Sequence, residues 1–175
     1  LLPTVFFDRD GTLNHDNGYT HRIEDLRWID GAIDAIRAVN AQGWLAIIVT
    51  NQSGLARGLY DEVQMHRFHE HLQSELAAHG ARIDAIYFSP FHERAKVERY
   101  RVADHPDRKP NAGMLLRAMR DLPIDPLRAL MIGDEEKDVA AGRAAGVAAA
   151  RFNGGNLYAA LRAALRETDW GASLS

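Results

Sequence analysis

The stretch Val5-Phe6-Phe7-Asp8-Arg9-Asp10-Gly11-Thr12-Leu13 decides how this chain is read. Residues 4–7 are β-branched or aromatic, which predicts a short buried strand. The strand stops at two carboxylates and a glycine. Two aspartates with one residue between them, at the carboxyl end of a strand, suit phosphoryl-group chemistry. Asp8 can attack phosphorus and hold a divalent metal, while Asp10 can pass a proton to and from oxygen. Gly11 lets the chain turn sharply and aim backbone N–H groups at an anion.

Further apolar runs follow at 44–50, 83–89, 129–132 and the alanine-rich 147–152, continuous rather than alternating in polarity. Between them the spacing predicts helices over 32–40, from a cap at Asp61 to about 79, from 111 onward, over 135–145 and over 156–167. Val63, Phe68, Leu72 and Leu76 are the expected apolar face of the second. Strands alternating with helices in this way make a parallel sheet covered on both faces, an α/β fold. Ligands of such sheets sit beyond the carboxyl ends of the strands, near a topological switch point. Asp8, Thr50 and Asp134 all fall at those ends, and this coincidence carries the functional reading.

Around the two aspartates the sequence offers what phosphate ester hydrolysis needs: an in-line nucleophile, charge neutralisation and a proton donor. A carboxylate attacking an anionic phosphate requires a cation, and Mg²⁺ suits all-oxygen ligands. Its expected ligands are Asp8, the backbone carbonyl of Asp10, and Asp134. Thr50 and Asn51 offer a hydroxyl and an amide to phosphate oxygens, and Lys109 offers a point charge. Among the acids after Asp134, Asp138 is the one expected to orient a metal-bound water or Lys109. Singly, each motif reads as a turn, a cap or a solvated charge. Their order and strand-end placement favour a site.

The chain has 175 residues, 46% apolar and 26% charged, so it is read as one domain over 1–175 with a real core. A net charge of −3 argues against a general nucleic-acid binder. Cysteine is absent, which excludes disulfides and thiolate metal sites. No apolar run approaches the roughly 20 residues that span a bilayer. Residues 1–4 lack the charged start of a signal peptide, so the expected setting is the cytoplasm and no membrane partner.

These motifs resemble those of the haloacid dehalogenase-like phosphohydrolase superfamily, over about 5–152. Asp8-Arg9-Asp10-Gly11-Thr12-Leu13 matches its first motif, Thr50 its second, Lys109 its third and Gly133-Asp134 its fourth. The resemblance implies a three-layer Rossmann-like domain with a mostly parallel sheet of five or six strands, and Mg²⁺-dependent hydrolysis through Asp8. Longer motifs are similar to the group that holds heptose-bisphosphate and histidinol-phosphate phosphatases: 7–14, Thr50-Asn51-Gln52-Ser53-Gly54-Leu55-Ala56-Arg57-Gly58, and Arg108-Lys109-Pro110-Asn111-Ala112-Gly113-Met114. The resemblance makes Asn14, Gln52, Arg57 and Arg108 candidate substrate contacts beside Asn51. Arg57 and Arg108 also make sense chemically, since a second phosphate wants a guanidinium fork.

The group commonly carries a structural zinc in the loop before Arg-Lys-Pro. Here the matching positions read Ser89, Phe91, His105 and Asp107, so no structural zinc is expected. Packing of Phe88, Phe91 and Tyr100 is expected to hold that loop, 90–110, instead. No large cap domain fits between the motifs, so the pocket should be open. His66, His69 and His71 read as a solvated helix face, and Arg94, Lys96, Arg99 and Arg101 as a solvated loop. The expected partner is a small phosphorylated sugar, above all a heptose bisphosphate, taken by a monomer. Histidinol phosphate, a nucleic-acid 3′-phosphate and a non-catalytic sugar-phosphate-binding relic are the alternatives.

Overall fold

The computed structural model describes residues 1–174. Five strands form one wholly parallel sheet: β1 (Leu2–Phe7), β2 (Leu45–Asn51), β3 (Ala85–Ser89), β4 (Ile124–Gly133) and β5 (Ala148–Arg151), in the order β3-β2-β1-β4-β5. The helices between them are α1 (Ala32–Ala41), α2 (Glu62–Ala78), α3 (Gly113–Asp121), α4 (Glu136–Ala144) and α5 (Leu157–Arg166). The fold is the three-layer Rossmann-like α/β arrangement, with the sheet at the lower of the two expected strand counts.

Side-chain alternation along a strand explains why the central strands are apolar throughout. Val5, Phe7, Ile48, Leu130 and Ile132 face a layer that holds α1, α5 and the inner side of α2. Phe6, Ile47, Val49, Ala129 and Met131 face the opposite layer, where α3 and α4 lie. The chain runs outward from β1 through β2 to β3, then returns to place β4 on the other side of β1. The switch point therefore lies between β1 and β4, and their carboxyl ends carry Asp8 and Asp134.

Two local details set the site's frame. Asp61 caps α2 in a reciprocal capping box with Gln64, worth about 1 kcal/mol. The buried face of that helix runs through Met65, Phe68, His69, Leu72 and Leu76, whereas Val63 is 58% exposed. The expected place of Val63 is thus corrected: it lies in the first turn, on the side away from the sheet. The segment 90–110 has one short 3₁₀ turn, Glu98–Tyr100. It is packed by its own cluster of Leu55, Ala56, Tyr60, Met65, Ala95 and Tyr100, with Phe88, Phe91 and Val97 against them.

Candidate active site

Asp8 follows β1 and is 8% exposed. Lys109, almost wholly buried, donates to Asp8 Oδ1 at 2.8 Å and to the Val49 carbonyl at 2.8 Å, and pairs with Asp138 Oδ1 at 2.7 Å. Asp138 Oδ2 accepts from the Glu135 N–H at 3.0 Å, so both of its oxygens are engaged. Of the two roles expected for Asp138, the structure gives it the orientation of Lys109. Thr12 Oγ1 lies 3.2 Å from Asp8 Oδ2 and 3.3 Å from Asp134 Oδ1, which leaves those two oxygens facing a common space.

Two glycines make this approach possible. A Cβ on Gly11, whose φ is 86°, would lie 2.3 Å from Asp134 Oδ2, and one on Gly133 would lie 2.4 Å from Asp138 Cγ. A side chain at Gly11 would displace the Asp134 carboxylate, and one at Gly133 that of Asp138.

Carboxylate oxygens of Asp8, Asp134 and Asp138 lie within 4.8 Å of one another. Lys109 supplies one positive charge against three negative ones. Burial pushes the Asp8 carboxyl up to about 7 despite Lys109, and burial followed by Asp8 itself pushes Asp138 up. The donor set is therefore hard, all-oxygen and short of cation, which fits Mg²⁺. Asp8 and Asp134 have the free edges to hold it. The Asp10 carboxylate is bound elsewhere, so only its main-chain carbonyl is on offer.

A pH dependence of stability follows. The raised Asp8 and Asp138 groups make the folded state bind protons more tightly than the unfolded chain. Stability without divalent ion is then highest near and below the unfolded carboxylate range and falls as pH rises through about 7. Lys109, whose pKa the two acids raise in spite of burial, loses its contribution only above this window. Thermal melts with chelator between pH 5 and 8 should show the decline, and Mg²⁺ should flatten it. A melting temperature that rises over that range in chelator would contradict this charge balance.

Asp10 is gripped from several sides. Arg9 donates to its Oδ1 through Nε at 3.0 Å and Nη2 at 2.8 Å, and Asn14 Nδ2 donates to the same oxygen at 3.0 Å. Gln52 Nε2 donates to Oδ2 at 3.0 Å and to Thr50 Oγ1 at 2.8 Å. The Tyr60 hydroxyl donates to Gln52 Oε1, which fixes the direction of that amide. Asp10 Oδ1 is thus saturated, whereas Oδ2 accepts from Gln52.

A pocket of about 340 Å³ opens over these groups, lined by Asp8, Asp10, Lys109, Asn51, Gln52, Ser53, Tyr60, Arg108, Asp16, Gly18, Tyr19, Glu135 and Lys137. Arg108 forms part of the wall and donates to the Phe91 carbonyl at 3.1 Å. Arg57 is exposed, its guanidinium 5.3 Å from the centre of the Tyr19 ring. Burial and then the Arg57 charge lower the pKa of Arg108, a sign of crowded cations at the mouth.

Several predicted contacts are placed differently from expectation. Asn14 is fully buried and lies behind the pocket wall, holding Asp10 rather than facing a substrate. Asn51 uses both ends of its amide on the main chain of Lys109, at 3.0 Å each, and so fixes that lysine in register. Thr50 is buried at the floor, its hydroxyl accepting from Gln52. His69 is not on a solvated face: it is 6% exposed and touches Arg9. Sequence reasoning gave no role to Arg9, Tyr60 or Tyr19. An arginine between two motif aspartates and a tyrosine just before a helix cap are signals that a closer reading could have used.

In the loop before Arg108, Phe91 stacks on His105 with ring centroids 3.7 Å apart at 12°, and Arg117 pairs with Asp107 at 3.3 Å. Arg101 donates to the Ala95 carbonyl, and Arg99 lies over the Tyr100 ring, so two of the loop's basic residues tie it down.

A buried carboxylate paired with a lysine, a second carboxylate two residues on and an anionic cradle at the switch point fit a phosphoric monoester hydrolase. A HAD-hydrolase-like family profile matches residues 107–169. The D-glycero-beta-D-manno-heptose-1,7-bisphosphate 7-phosphatase of Pasteurella multocida is 44% identical over 145 residues, 83% of this chain and 78% of the relative. The D-glycero-alpha-D-manno-heptose-1,7-bisphosphate 7-phosphatase of Burkholderia mallei is 42% identical over 143 residues, 82% of this chain and 75% of the relative. The solved D,D-heptose 1,7-bisphosphate phosphatase of B. bronchiseptica, complexed with magnesium and phosphate, superposes with a TM-score of 0.78 at 27% identity, covering 99% of this chain and 92% of that one. The chain belongs to the haloacid dehalogenase-like hydrolases. Among the described residues no helix is long and apolar enough to cross a membrane.

Proposed function

We propose that the protein is a Mg²⁺-dependent phosphatase that removes the C7 phosphate of D-glycero-D-manno-heptose 1,7-bisphosphate. The observation that carries this is the spacing of charge in the pocket. Asp8, Asp10 and Lys109 lie at its floor and Arg108 in its wall, with Arg57 near the mouth. A substrate with an anion at each end matches that layout. The names of the relatives support the same reading.

Mg²⁺ held by Asp8, Asp134 and the Asp10 carbonyl would neutralise phosphate charge. Asp8 Oδ2 faces Asp134, so Oδ1, held by Lys109, is the attacking oxygen. Its lone pair forms a bond to phosphorus while the bond from phosphorus to the C7 oxygen breaks. Asp10 Oδ2 gives that oxygen a proton. The Asp10 carboxylate then takes a proton from water, whose oxygen attacks phosphorus, and the bond to Asp8 breaks to release phosphate. Lys109 offsets the growing negative charge in both steps.

A bisphosphate does not cross a bilayer unaided, which supports a place in the cytoplasm beside the source of its substrate. Asp16 and Glu135 also line the pocket, so histidinol phosphate, with its cationic groups, stays in the test panel. Phosphate release should be measured with both heptose bisphosphate anomers, histidinol phosphate and a 3′-phosphorylated oligonucleotide. The highest kcat/KM should belong to one heptose anomer. A preference for either of the other two would overturn the reading.

Arg108→Met tests the second anion directly. Losing a charge-assisted fork of about 1.5–3 kcal/mol should raise KM for the bisphosphate about ten- to a hundredfold, with kcat nearly unchanged. A heptose 7-monophosphate should be affected far less. Equal effects on the two substrates would remove Arg108 from the distal phosphate.

A further inference from the structure

We infer that His69 is a positioning residue that acts on the proton-transferring carboxylate, Asp10, through Arg9. The inference rests on the role of Asp10 given above and extends it to α2, which carries no residue of the reaction itself.

Arg9 has no exposed surface, and each of its nitrogens has a defined partner. Nε and Nη2 bind Asp10 Oδ1, Nη2 also donates to the Thr20 carbonyl at 2.6 Å, and Nη1 lies 3.0 Å from His69 Nε2. The guanidinium carbon sits 4.5 Å from the centre of the Phe68 ring, which closes one face. Arginine carries donors only, so His69 Nε2 must accept. Burial, then the Arg9 charge, keep the imidazole neutral down to about pH 3, so that lone pair is available throughout the working range.

The geometry gives the contact a purpose. Asp10 and the Thr20 carbonyl hold the guanidinium at Nε and Nη2 and leave the Nη1 end to His69. His69, on a helix that belongs to the core, anchors that far end and fixes the plane. Asp10 Oδ1 then stays buried against Arg9 and Oδ2 stays turned to the pocket, where the leaving oxygen must find its proton. Burying an imidazole against a guanidinium also costs desolvation that two apolar side chains would not incur. A position needed only for packing would gain by losing both.

The test uses the leaving group as the readout, in His69→Leu and His69→Gln. An alkyl phosphate needs a proton on its departing oxygen, whereas 4-nitrophenyl phosphate departs without one. In His69→Leu, kcat/KM should fall about tenfold or more for the alkyl ester and less than about twofold for the aryl ester. In His69→Gln, whose amide oxygen can accept from Arg9, the alkyl value should stay within about threefold of wild type. Near-UV circular dichroism establishes that each variant is folded, and His69→Met replaces His69→Leu if the latter is not. A folded variant that loses both esters equally, or neither, overturns the inference. Asp10→Asn separates the two layers. If it shows the split and His69→Leu does not, the role of Asp10 stands and the relay falls. If Asp10→Asn shows no split, the role of Asp10 falls and the relay with it.

Discussion

Asp8→Asn should lower phosphate release by at least about 10⁴-fold while leaving the protein folded. The amide is almost isosteric with the carboxylate, but its uncharged oxygen is too weak a nucleophile to attack phosphorus. Its oxygen can still accept from Lys109, as Asp8 Oδ1 does at 2.8 Å. The variant also removes one of three crowded carboxylates, and the one whose charge burial pushes towards the neutral form. With chelator at pH 8 it should therefore melt no lower than the wild type, and Mg²⁺ should stabilise it less. Activity loss accompanied by unfolding would mean that Asp8 is structural. Residual turnover within about tenfold of wild type would mean that another group attacks.

Lys109→Met should cost about 10²- to 10³-fold in kcat, the range for removing one preorganised charge donor from a water-poor site. It should also cost stability, which Asp8→Asn should not. Lys109 is the shared partner of buried Asp8 and Asp138, at 2.8 and 2.7 Å. Breaking a buried pair by removing one side costs about 3–5 kcal/mol, because the remaining charge is left uncompensated. At low pH the acids can protonate instead, so the melting deficit should be large at pH 8 and smaller at pH 5. A deficit that does not depend on pH would show that lost packing of the lysine stem, rather than lost charge, is responsible.

Much of this arrangement was legible in the sequence because strand ends in a parallel sheet are strongly specified. Apolar runs fix the strands, and the polar residue that ends each run must emerge at one edge. Asp8, Thr50 and Asp134 could be named on that ground alone, whereas Lys109 follows a long loop and was named for the charge it offers. The role of Asp138 was half legible: a carboxylate one turn into a helix could face the metal or the lysine, and only the backbone path decides. Asn14, Asn51 and His69 were harder. Each is a polar residue whose partner is distant in sequence or lies on a loop, and polarity alone suggests solvent or substrate. The His69–Arg9 contact joins residues 60 apart, and no periodicity encodes it. Val63 was misplaced for a simpler reason: helical spacing tolerates more than one apolar stripe in the first turn, and the docking angle of α2 selects the one with Met65.

The most direct test follows phosphorus itself. D-glycero-D-manno-heptose 1,7-bisphosphate, as each anomer, would be incubated with the protein and Mg²⁺ and watched by ³¹P nuclear magnetic resonance. The C7 phosphate signal should give way to inorganic phosphate while the anomeric phosphate signal persists, and chelator should stop the change. Loss of the anomeric phosphate first, or no change in either anomer while another phosphate ester is turned over, would contradict the assignment.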